Sequence, residues 1–337
     1  MKTITLEEHI STQRFLRAME PPQTPQGAMA DFVERTNRLL LDTDQGRIAA
    51  MDESGINMQV LSLSGVGLNN LDPGLASELA EEANEKMAEA VAVHPTRFAA
   101  FAAIAPQQPE KAAQELERWI GRGFKGTMIH GTVSGEFLDK PRFLPIFEAA
   151  QALDVPVYVH PARPPEPVQQ AYFADLPAPV DFLMSTSAWG WHVETGLHAL
   201  RLIVSGIFDK LPRLKIIIGH MGEDLPYSIA RADAVLGTVA GRRLQRAVKD
   251  YFRENFWITT AGYFTVPPFL CAREVLGIDR LLFSVDYPYS PMENGIEFLN
   301  SLTDRIPEGE IAKLAWHNSQ QLLRIRNGSA ERPGTGA

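Results

Sequence analysis

The chain has 337 residues, 45% of them hydrophobic and 22% charged, a composition that supports a full core in a soluble globular enzyme. Its net charge of −9, without any long basic block, argues against a nucleic-acid or anionic-membrane surface. A single cysteine, Cys271, excludes an internal disulfide framework; no window nears the ~18 apolar residues of a membrane span and no signal-type apolar region opens the chain, so a cytoplasmic protein is expected.

Strand-like and helix-like segments alternate from the first residues onward. Candidate strands are residues 3–9, 56–63, 98–105, 126–131, 155–161, 215–222, 256–262 and 281–288. The run Leu214-Lys215-Ile216-Ile217-Ile218 is short, β-branched and almost purely apolar, as a strand covered on both faces must be. Helical patterns fill the intervals at 44–53, 74–93, 110–121, 142–153, 192–208, 225–236 and 267–276, with two more at 294–302 and 308–323. In the segment 192–208, Val193, Leu197, Leu200, Val204, Ile207 and Phe208 form the stripe of a helix packed on a sheet.

Eight such strands predict an α/β fold, a single (β/α)8 TIM barrel over residues 1–326. Residues 21–41 and 162–190 carry several prolines and aromatics and are expected as long βα loops at the catalytic face. The stretch 327–337 has Gly, Ser and Pro but no large apolar residue, which predicts a disordered tail.

Four strand ends carry titratable residues. In Glu7-Glu8-His9, Glu7 and His9 are two apart and face the same side of a strand, a pairing suited to a divalent metal. His160 closes the run Val157-Tyr158-Val159 before Pro161, where it is either a ligand or a core histidine. His220 follows Gly219 at the end of the sixth strand, as a general acid/base, an orienting partner or a core histidine. Glu223 opens the next helix, where the helix dipole alone would favour a carboxylate. Asp286, after Leu281-Leu282-Phe283, would be costly to bury without a cation. His130 ends the fourth strand and faces the pocket, whereas His94, His198 and His317 are expected at the surface or in subunit contacts.

These motifs resemble the amidohydrolase superfamily: Leu6-Glu7-Glu8-His9, Val159-His160-Pro161, Gly206-Ile207-Phe208-Asp209, Gly219-His220-Met221-Gly222-Glu223 and Ser284-Val285-Asp286-Tyr287-Pro288 stand in the right order on the right strands. Within it they look like the amidohydrolase-2 branch that contains the γ-resorcylate, 2,3-dihydroxybenzoate and salicylate decarboxylases. The resemblance implies that Glu7, His9, His160 and Asp286 hold one divalent ion, zinc or manganese. It implies that His220 pairs with Asp286, that Glu223 stands beside it, and that Arg231 and Trp189 line the substrate pocket. His130 stands where dihydroxybenzoate-directed relatives commonly have asparagine, and Phe15 is the candidate aromatic residue of the first loop. The family further implies a homodimer or homotetramer.

The expected activity is therefore non-oxidative decarboxylation of a hydroxybenzoate-like acid, with Asp286 protonating the ring carbon. The rival is a mononuclear hydrolase of an ester, amide or lactone at the same site. A catalytically silent barrel is the third reading.

Overall fold

The computed structural model describes residues 1–19, 27–65, 68–240 and 243–325. Among the described residues nine strands are formed: β1 (Ile4–Ile10), β2 (Met58–Leu63), β3 (Phe98–Ala100), β4 (Ala102–Ala103), β5 (Thr127–His130), β6 (Pro156–His160), β7 (Lys215–Ile218), β8 (Phe256–Thr259) and β9 (Leu281–Leu282). Every neighbouring pair is parallel, in the orders β1-β2-β3 and β4-β5-β6-β7-β8-β9. The expected third strand is split at Phe101, whose N–H bonds Leu61 on one side while the N–H of Ala102 bonds Gly126 on the other. The two sheets thus occupy eight barrel positions. On the far side a single bridge, Leu6 with Ser284, joins β1 to the segment after β9, so the ring is a pair of ladders held by short links.

Alternation along each strand sends one set of side chains inward. Ile4, Leu6, Val60, Phe101, Met128, Tyr158, Ile217 and Leu282 form the barrel interior, closed below by Leu322, Leu323 and Ile325. The opposite faces of the strands pack on the helical ring in a second, larger cluster. Burial of each such large apolar side chain contributes about 1.5–3 kcal/mol. The floor of the barrel is therefore filled by side chains.

Three features differ from the sequence expectation. Residues 28–41, read as loop, form the helix Ala28–Leu41; the prolines that suggested a loop all precede it. The 162–190 segment contains the short helices Glu166–Phe173 and Val180–Ser185. The predicted helix 192–208 breaks after Val204 at Gly206, which is left-handed at φ 78. Its apolar stripe is only half buried: Ile207 and Phe208 are in the core and Leu200 packs against it, but Val193, Leu197 and Val204 are exposed, while His192, Thr195, Gly196, His198, Ala199, Leu202 and Ile203 pack inside. The tail 327–337 lies outside the described residues. Among the described residues no helix is long and apolar enough to cross a membrane.

Candidate active site

Four side chains from three places around the mouth converge on one point. Glu7 and His9 come from β1, His160 from the last position of β6, and Asp286 from four residues beyond β9. One donor atom of each lies within 4.8 Å of the others. Glu7 Oε1 is 3.0 Å from His160 Nε2, and His9 Nε2 is 3.3 Å from Asp286 Oδ1. Yet Glu7 Oε1, His9 Nε2 and Asp286 Oδ1 are buried and make no hydrogen bond. Buried polar atoms left without partners cost free energy unless something satisfies them. Two carboxylates and two imidazoles facing inward fit a divalent cation of the zinc or manganese kind.

The backbone is bent to aim these groups. The pairing of β1 with β2 shifts register between Thr5 and Glu8, and Glu7 inside it is left-handed at φ 63. A bulge of this kind turns one side chain out of simple alternation. Glu7 and His9 do reach the same centre, through that bulge rather than regular spacing. Asp286 is left-handed too, at φ 72, and so is His220, at φ 48. Both lie beyond the strands to which the sequence assigned them, in turns whose strain the surroundings must hold. Gly219 is required by close approach: a Cβ there would sit 2.8 Å from Glu7 Oε2 and 3.1 Å from the Tyr158 hydroxyl.

The outer partners of the four groups fix their orientation. Tyr158 donates to Glu7 Oε2, supported by Thr259 at 3.3 Å from the same oxygen. His9 Nδ1 pairs with Ser62 Oγ at 3.1 Å, and His160 Nδ1 donates to the Pro161 carbonyl at 2.8 Å, so both Nε2 atoms face the centre. Burial pushes His9 below its ordinary value, which favours the neutral, ligating imidazole. Burial also works against ionisation of Asp286, but the neighbouring imidazoles of His220 and His9 outweigh it and hold the carboxyl at about 2.

His220 stands beside this cluster, with Nε2 3.6 Å from Glu7 Oε1 and 3.9 Å from Asp286 Oδ2. Its Nδ1 lies 2.8 Å from Glu223 Oε1. Against the effect of burial, the charges of Glu7 and Glu223 raise His220 well above the ordinary imidazole value. Glu223 Oε2 in turn lies 2.7 Å from Nδ1 of His192. Sequence reasoning gave His192 no role, because its partner is 31 residues away and no local spacing links them. Tyr158 and Thr259, on interior strand positions, escaped notice for the same reason.

His130 pairs in register with His160, and their rings are 4.6 Å apart. Its Nε2 is buried without a partner, and burial pushes the imidazole well below its ordinary value. The structure does not gather the other expected pocket residues. Phe15 is 2% exposed and belongs to the hydrophobic core. Trp189 precedes the helix Gly190–Val204 and is 52% exposed. Arg231 is exposed on the helix Leu225–Ala240. None of the three has a described side-chain hydrogen bond, ion pair or ring contact with the cluster.

A parallel barrel whose mouth concentrates buried carboxylates and imidazoles is an α/β barrel fitted for a metal centre. The family model described as amidohydrolase matches residues 35–325, and the chain belongs to that family. It is 38% identical over 336 residues to γ-resorcylate decarboxylase of Polaromonas sp., covering 96% of this chain and 98% of that protein. A dihydroxybenzoic acid decarboxylase from Polaromonas sp., solved with manganese and the inhibitor 2-nitroresorcinol, superposes with TM-score 0.86 at 35% identity, covering 97% and 98% of the two chains. The 5-carboxyvanillate decarboxylase of Sphingomonas paucimobilis gives TM-score 0.86 at 34% identity, covering 96% and 99%.

Proposed function

We propose that this chain is a metal-dependent, non-oxidative decarboxylase of a hydroxybenzoate-like acid, with one divalent ion held by Glu7, His9, His160 and Asp286. The observation that carries the reading is the convergence of three buried, unpartnered donor atoms beside the His220–Glu223 pair. Decarboxylating relatives across the full chain length favour it over the hydrolase. Manganese is preferred over zinc, supported by the manganese-bound relative.

The bound cation would stabilise negative charge on the substrate's carboxylate and adjacent oxygen. The protein's own residues do the rest. Asp286 stands as a carboxylate, so the proton it delivers arrives with the substrate. A hydroxyl ortho to the carboxylate supplies it: the phenolic proton passes to Asp286, and Asp286 places it on the ring carbon that bears the carboxylate. As the carbon–carbon bond breaks, its electron pair returns to the ring and carbon dioxide leaves. The product phenolate then takes a proton from solvent. His220, oriented by Glu223, holds the oxygens of Glu7 and Asp286 in place. His130, neutral and unpartnered, would bond a polar ring substituent. Phe15, Trp189 and Arg231 are retained as substrate contacts only through movement or a second subunit; the exposed Val193, Leu197 and Val204 support a homodimer or homotetramer.

Replacing Asp286 with Asn tests the proton assignment, since the amide keeps an oxygen for the metal and cannot donate as an acid does. The Asp286→Asn protein is expected to retain metal and lose about 10²–10⁴-fold in turnover. Turnover near wild type would remove Asp286 from the donor role.

A further inference from the structure

Glu223 is held at both oxygens. Oε1 faces His220 Nδ1 at 2.8 Å, and Oε2 faces His192 Nδ1 at 2.7 Å. The other nitrogen of His192 lies 2.9 Å from the carbonyl oxygen of Ser187. A carbonyl can only accept, so His192 Nε2 carries hydrogen. A carboxylate also only accepts, so a hydrogen must lie on each of its two contacts as well. Three contacts therefore need three hydrogens. Two neutral imidazoles facing an ionised carboxylate supply two.

The extra proton has a place to reside. Glu223 is 1% exposed, and His220 and His192 lower its pKa against the effect of burial, which leaves the carboxyl ionised. His192 is 2% exposed; the rings of His220 and Tyr263 lie beside it at steep angles, each with centroid 5.2 Å away, and the charge of Asp224 lies nearby. The chain is shaped to bring it there. A Cβ at Gly196, one turn along the same helix, would stand 2.7 Å from the Glu223 carbonyl oxygen, and one at Gly190 would stand 2.6 Å from that of Ser185. Glycine at position 196 lets the helix Gly190–Val204 press against the turn that carries Glu223, and glycine at 190 lets its first turn press against Ser185.

We propose that His192 is a positioning residue held as an imidazolium, clamping one oxygen of Glu223 so that the other fixes His220 Nδ1–H and turns His220 Nε2 towards Asp286. The catalytic part of this inference rests on the decarboxylase reading. The protonation part does not. His192 touches none of the four proposed metal ligands, so its loss leaves the ion bound and removes the alignment of His220.

Two measurements test it. The first uses zinc-loaded protein with ¹⁵N-labelled histidine, read by NMR at pH 7. His192 should show both ring nitrogens protonated, and that signal should vanish in His192→Gln. A bare nitrogen on His192 would overturn the proposal whether or not the protein decarboxylates anything. The second compares wild type with His192→Gln, each loaded with manganese. Metal content and KM should stay close to wild type, while kcat falls about 10- to 100-fold and its pH profile shifts. An unchanged kcat with an unchanged profile would overturn the positioning role. Wild-type protein without decarboxylase activity would instead overturn the functional reading and leave the NMR result standing.

Discussion

Tyr158 donates its hydroxyl to Oε2 of Glu7, and Oε1 of the same carboxylate is thereby the oxygen turned towards His160, 3.0 Å away. The tyrosine belongs to the barrel interior. The centre thus stands on the core that fills the barrel. Burial together with the charge of Glu7 raises the phenol well above its ordinary value, so it remains a donor at any working pH.

Removing that hydroxyl leaves the packing in place and frees Glu7 to rotate. Tyr158→Phe is expected to fold normally and to bind manganese about 10- to 100-fold more weakly, the usual cost of losing an outer partner of a metal ligand. Titration of metal-free protein with manganese checks this. Unchanged affinity would mean that Thr259 and Gly219 suffice to hold the carboxylate.

Arg47 joins two strands that the sheet hardly joins. It is fully buried, donates to the His9 carbonyl, and lies 4.8 Å from the ring centroid of Tyr287. Nearby, His9 N–H bonds the Tyr287 carbonyl at 2.7 Å, and Val285 N–H bonds Glu8 at 3.0 Å. Burial pushes Glu8 up to about 8, partly offset by the Val285 N–H and the charge of Arg47. The seam that sets Asp286 against Glu7 and His9 therefore depends on side chains. Arg47→Met should lower stability by about 1.5–3 kcal/mol, the value of a hydrogen bond from a charged donor, and weaken metal binding together with it. Denaturant unfolding and metal titration on the same sample check the pair of effects.

His198, expected at the surface, is fully buried. Its Nε2 accepts from the Leu138 N–H at 3.0 Å, which places its proton on Nδ1. Burial lowers it from 6.5 to about 3, against the charge of Asp139 and with that of Arg201. The folded state then binds fewer protons than the unfolded chain below pH 6.5, so the stability contributed by neutral His198 is intact above that pH and is lost as pH falls towards 3. At about 1.4 kcal/mol per unit, the loss should reach a few kcal/mol across that range. Melting curves at stepped pH should show a gentler slope for His198→Gln than for wild type.

What could be read in the sequence followed from local pattern. Apolar runs ending in Glu7, His9, His160, His220 and Asp286 placed the barrel and the cluster at its mouth, because strand burial and strand ends are encoded within a few residues. What could not be read came from contacts between distant segments. The bulge at Glu7, the left-handed turns at His220 and Asp286, and the clamp of His192 on Glu223 all depend on neighbours far along the chain. Val193, Leu197 and Val204 misled for a related reason: the first turns of that helix bury the small and polar His192, Thr195, Gly196 and His198 instead, and leave these three apolar side chains exposed.

The most direct test of the account incubates manganese-loaded protein with hydroxybenzoates and related aromatic acids in deuterated water. Products are read by proton NMR after protein and metal are removed. The account predicts carbon dioxide release and a phenol deuterated at the carbon that carried the carboxylate. Metal-loaded protein that leaves every ortho-hydroxy acid unchanged, and cleaves an ester, amide or lactone instead, would contradict it.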